Sequence, residues 1–109
     1  MTENMHIARL VFELDDLNDE VGKVADERGL QELFKLSVKI KDMITDLSKE
    51  VVAVDIVPLI FRLEDLIIEL EKIVGENRIQ ELSDVLEEIR NVIFNFFKMF
   101  GVDAKWLHA

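Results

Sequence analysis

Four carboxylates stand within six residues, Asp15, Asp16, Asp19 and Glu20, the densest run of charge in the chain. Asp15/Asp19 and Asp16/Glu20 are i,i+4 pairs. On a helix each pair shares a face, the arrangement from which a hard cation such as Mg²⁺ takes protein oxygens. The same spacing suits a solvated ladder, because Lys23 follows Glu20 by three residues and precedes Glu27 by four. That ladder recurs as Asp65, Glu69, Lys72 and Glu76, and a surface ion-pair ladder is the expected reading. Histidine offers little: His6 opens the first helix, His108 is next to last, and neither has a Ser or Cys nucleophile in a recognisable setting. There is no glycine-rich phosphate loop, and with no cysteine there is no thiolate zinc site.

The elements that position these residues follow from apolar spacing. Ile7, Leu10, Leu14, Leu17, Val21 and Val24 step alternately by three and four. Leu30, Leu33, Ser37, Ile40, Ile44, Leu47 and Val51 keep that step, with Ser37 the one polar interruption. Two further series run from Ile56 to Ile73 and from Ile79 to Phe100. Sustained alternation of this kind is the seam of helices packed at shallow angles. It predicts four helices near 4–27, 30–50, 55–74 and 78–100. Gly29, Gly75 and Gly101 fall where C-terminal caps are expected. Asp55 and Asn77 are the expected N-caps, with Pro58 in a first turn where its missing N–H costs little. Val51-Val52-Ala53-Val54 reads as a short extended connector.

A shift of 49 residues superposes the two halves. Between 7–44 and 56–93, 14 of 38 pairs are identical, and six of them are polar. A shared heptad phase matches apolar positions only, so duplication of an α-hairpin explains the polar matches better. The expected fold is all-α: a single antiparallel four-helix bundle of two tandem, sequence-similar hairpins, about 4–50 and 55–100, with a tail at 101–109.

The segment Glu81-Leu82-Ser83-Asp84-Val85-Leu86-Glu87-Glu88-Ile89, running on to Phe100-Gly101-Val102-Asp103, resembles the C-terminal helix of MazG-like nucleotide pyrophosphohydrolases. In that all-α family an E-x-x-D on this helix joins an E-x-x-E on the preceding one to hold Mg²⁺, and a nucleoside triphosphate is cleaved to monophosphate and pyrophosphate. The resemblance implies metal roles for Glu81 and Asp84, with Glu69 from the preceding helix. The chain departs from the pattern where Lys72 follows Glu69 by three. The first hairpin departs likewise, with Lys35 three residues after Glu32.

The halves differ in apolar content. Asn18 and Asp19 become Ile67 and Ile68, Ser37 becomes Leu86, and residues 56–74 carry twelve apolar side chains in nineteen. The stretch from Val92 to Phe100 is apolar nearly all round. A helix with more apolar surface than one core covers usually meets a second partner. Ile67, Ile68, Phe94, Phe97, Met99 and Trp106 are therefore the expected interface of a homodimer formed through the third and fourth helices. A net charge of −10, from 23 acids against 13 bases, opposes direct binding to nucleic acid or anionic lipid. No apolar run is long enough to span a membrane. The N-terminus lacks a signal-peptide pattern, and the lack of cysteine suits a reducing cytoplasm. The expectation is a non-catalytic, acidic interaction or assembly module needing no cofactor. A Mg²⁺-dependent hydrolase is the alternative, and an acidic decoy of a nucleic-acid-binding protein the third reading.

Overall fold

The computed structural model describes residues 2–49 and 56–101, with side chains described from Ile7 onward. Asp55, the 51–54 connector, the tail with Trp106 and His108, and the His6 side chain lie outside the described residues. Four helices form: α1 (Thr2–Arg28), α2 (Gln31–Lys49), α3 (Ile56–Glu76) and α4 (Ser83–Phe100), the last preceded by a 3₁₀ turn at Gln80–Leu82. The main contacts join α1 to α2, α2 to α3, α3 to α4 and α4 to α1, so the helices stand in a ring. This is the expected antiparallel bundle. Each helix turns its 3-4 seam inward, and Leu14, Leu33, Ile40, Leu63, Leu70, Ile89, Ile93 and Phe96 are wholly or almost wholly buried. Burial of each such side chain contributes about 1.5–3 kcal/mol.

Both hairpins reverse through the same turn. After α1, the Gly29 N–H bonds the Asp26 carbonyl at 3.2 Å and the Leu30 N–H bonds the Ala25 carbonyl at 2.9 Å. After α3, and 49 residues on, the Arg78 N–H bonds the Gly75 carbonyl at 3.2 Å and the Ile79 N–H bonds the Val74 carbonyl at 3.1 Å. These paired bonds are the Schellman cap, which satisfies the last helical carbonyls and needs one left-handed residue. In the first turn that residue is Gly29, at φ 65°. In the second it is Arg78, at φ 53°.

The expected cap at Gly75 is therefore corrected. Gly75 lies within α3, and the left-handed position is the arginine three residues later. Asn77 is corrected too. Its Nδ2 donates to the Ile73 carbonyl at 2.9 Å, so it closes the end of α3 instead of opening α4. The fourth helix starts late because Ile79 and Leu82 keep the apolar step through a 3₁₀ turn, which spacing alone does not distinguish from α-helix. Pro58 does fall in the first turn of α3, and α4 ends at the expected Gly101.

A side chain in the left-handed region costs roughly 1–2 kcal/mol, part of which glycine's greater chain entropy returns. Arg78→Gly is expected to stabilise the fold by about 1 kcal/mol. Gly29→Ala, whose added Cβ meets nothing within 4 Å, is expected to destabilise it through the backbone alone. Urea midpoints of the two variants should move in opposite directions, and movement the same way would contradict the shared turn.

Candidate functional site

The three carboxylates of the hydrolase pattern are not gathered. Glu69 is exposed on α3, in a groove shared with Glu32, Lys35 and Lys39 of α2. Glu81 sits in the 3₁₀ turn and is held by Arg28 at the end of α1, whose Nε donates to Oε1 at 2.6 Å. Asp84 is exposed in the first turn of α4. Among the described residues no group of three or more Asp, Glu or His side chains is placed to hold a metal ion.

The acidic run of α1 is organised by a base from its neighbour. Lys41 of α2 contacts Asp15 at 2.6 Å and Asp19 at 3.6 Å, so this i,i+4 pair brackets an ammonium. The hydrogen bond to Asp15 is the main cause raising the Lys41 pKa above its ordinary 10.5, and the Asp19 charge adds to it. The second hairpin places Arg90 of α4 at the position aligned with Lys41, where it pairs with Glu71 at 2.5 Å.

Two of the expected interface residues are internal. Ile67 is fully buried in the bundle. Phe97 is also buried and packs on Phe61, with ring centroids 5.1 Å apart and planes at 51°. The apolar surplus of the second hairpin thus enlarges its own core, and these two side chains are withdrawn from the expected interface. Ile68 and Met99 are exposed and Phe94 is half-buried, while Trp106 lies outside the described residues. Among the described residues the other large exposed apolar side chains belong to the first hairpin: Phe12, Phe34 and Val38.

The substitutions that distinguish the halves prove to be contacts. Asn18 and Ser37 are both buried and face each other across α1 and α2. Asn18 Nδ2 donates to the Ser37 carbonyl at 3.0 Å, and Ser37 Oγ donates to Asn18 Oδ1 at 3.2 Å. One turn on, Gly22 leaves room for the hydroxyl, since a Cβ there would stand 3.1 Å from Ser37 Oγ. The second hairpin carries Ile67 and Leu86 at the aligned positions, both buried. A polar pair in one half matches an apolar pair in the other.

Glu64 of α3 was not singled out by spacing, yet it is 0 % exposed. It aligns with Asp15, which stays partly open to solvent. The available signal was its setting, between Leu63 and Ile67 and opposite the polar stripe of Arg62, Asp65, Glu69, Lys72 and Glu76. Phe12 was likewise missed. It aligns with Phe61, but the residue aligned with Phe97 is Ser48, so no ring covers it from the equivalent position.

Compared with protein-family models, curated proteins and solved structures, the chain gives no match. The resemblance to MazG-like enzymes therefore stands on Glu81, Asp84 and their neighbours alone.

Removing one member of a buried hydrogen-bonded pair leaves the other unsatisfied, at a cost of about 1–3 kcal/mol, whereas replacing both with apolar groups can be nearly neutral. Ser37→Leu alone is expected to destabilise the bundle by that amount. Adding Asn18→Ile, which copies Ile67 and Leu86, is expected to recover most of the loss. A thermal-unfolding double-mutant cycle reads the coupling directly, and strictly additive losses would contradict the pairing.

Proposed function

We propose that this chain is an acidic, non-catalytic interaction and assembly module. The observation that carries the reading is the set of large apolar side chains left at the surface of helices otherwise coated with charge, on both hairpins. In a bundle whose seams are otherwise closed, such residues are the ones an association would bury. Self-association through α3 and α4 belongs to the same reading, with Ile68, Phe94 and Met99 as its apolar contacts in place of the original, larger set. Carboxylates scattered over separate grooves suit a solubilising coat better than a catalytic centre.

Sedimentation equilibrium across the micromolar range tests the assembly. The expected result is a mass rising from monomer towards dimer with concentration, returned to monomer by Ile68→Glu combined with Met99→Glu. A concentration-independent monomer would overturn self-association. Pyrophosphate release from a nucleoside triphosphate with Mg²⁺, abolished by Glu81→Gln or Asp84→Asn, would overturn the non-catalytic reading.

A further inference from the structure

We propose that the ridge of α1 centred on Phe12 docks a cationic amphipathic helix of a protein partner, an inference that rests on reading the chain as an interaction module but not on its self-association. Phe12 is 72 % exposed, the most open large apolar side chain among the described residues. Its counterpart Phe61 lies against Phe97, whereas Phe12 has Ser48 at the equivalent place. The first hairpin thus presents an aromatic face without the ring that packs on its counterpart in the second. Val38 and Phe34, one helical turn apart on α2, are exposed on the same hairpin.

The charges around Phe12 specify the partner. Asp15 and Asp16 follow it by three and four residues, which places them beside it on the helix surface. On one flank Lys41 ties Asp15 to Asp19. On the other, Glu13 and Asp16 line a groove between α1 and α4 with Glu88, Asn91 and Asn95. Of the bases on this face, Arg9 pairs with Glu13 at 3.5 Å and Lys41 with Asp15. Three carboxylates of α1, Glu13, Asp15 and Asp16, thus lie within four residues of the ring, and the groove beside two of them adds Glu88. The bias extends along α1, which carries eight acids and three bases, while α2 carries three acids and four bases.

A second copy seated here would set carboxylate against carboxylate, and a neutral apolar partner would strip water from them without compensation. A cationic amphipathic helix does neither. Its apolar stripe covers Phe12, and Lys or Arg one turn to either side reaches the flanking acids. A guanidinium or ammonium lying over the Phe12 face adds a cation–π contact.

The test uses a fluorescein-labelled leucine–lysine amphipathic peptide, with a leucine–glutamate peptide of the same pattern as control, followed by anisotropy against the full chain. The lysine peptide is expected to bind, more weakly as salt rises, and the glutamate peptide is not. Phe12→Ser is expected to weaken binding about tenfold, the equivalent of about 1.4 kcal/mol. Glu13→Gln with Asp16→Asn should weaken it and flatten its salt dependence, whereas Met99→Ser should leave it unchanged. All four positions are exposed, and circular dichroism confirms that each variant folds. Equal affinity for Phe12→Ser and the unaltered chain would overturn the proposal. So would loss of self-association on Phe12→Ser, which would make this face homotypic. If the peptide fails to bind while sedimentation still reports a dimer, this inference falls and the module reading stands; if the chain is also monomeric, this inference and self-association both fall.

Discussion

Each helix pair reverses through one hydrogen-bonded turn, and the reversal decides which residues can meet. The bond from Leu30 to Ala25, and its counterpart from Ile79 to Val74, bring each chain back antiparallel on itself at a fixed register. That register sets Asn18 against Ser37, Asp15 against Lys41 and Phe61 against Phe97. The turn demands a left-handed residue, and the chain meets the demand once with glycine and once with arginine. Where the arginine stands, the rest of the turn must hold a conformation that its side chain disfavours.

The same backbone plan is filled differently in the two halves. The second hairpin puts isoleucine, leucine and phenylalanine inward and encloses the Glu64 carboxyl among them. The first puts an amide and a hydroxyl into the equivalent space, satisfies them against each other, and leaves a phenylalanine outside. A hydrogen-bonded pair of this kind adds little net stability, but it penalises any alternative register that would separate its members. The surface differs in consequence. Apolar exposure does not follow apolar composition: among the described residues the half richer in apolar residues buries more of them, and the poorer half presents Phe12 next to Glu13, Asp15 and Asp16.

Much of the fold was legible in the sequence because helical seams depend on period alone, and period survives in a single chain. Gly29 and Gly101 were legible for the same reason: each stands where the apolar step pauses. Gly75 misled because glycine also occurs within a last helical turn, and only the repeat, which aligns Arg78 with Gly29, marks that arginine as the left-handed residue. Asn77 misled because a carboxamide both donates and accepts, so it serves either end of a helix. Ile67 and Phe97 were assigned to the surface because a count of apolar residues does not say how wide a core is. Reading the repeat across both helices at once, with Asn18 and Ser37 exchanged together for Ile67 and Leu86, would have placed that pair inside. The charge count was legible as a total, but its concentration on α1 beside an uncovered ring required the helix faces to be known.

The central claim is that Phe12 faces water while its repeat counterpart Phe61 is half-buried against Phe97. Solvent paramagnetic relaxation of the phenylalanine ring protons, measured by NMR with a soluble gadolinium chelate, tests it most directly. Strong relaxation at Phe12, weaker at half-buried Phe61 and least at Phe96 and Phe97, is the predicted result. Protection at Phe12 equal to that at Phe61 would contradict it.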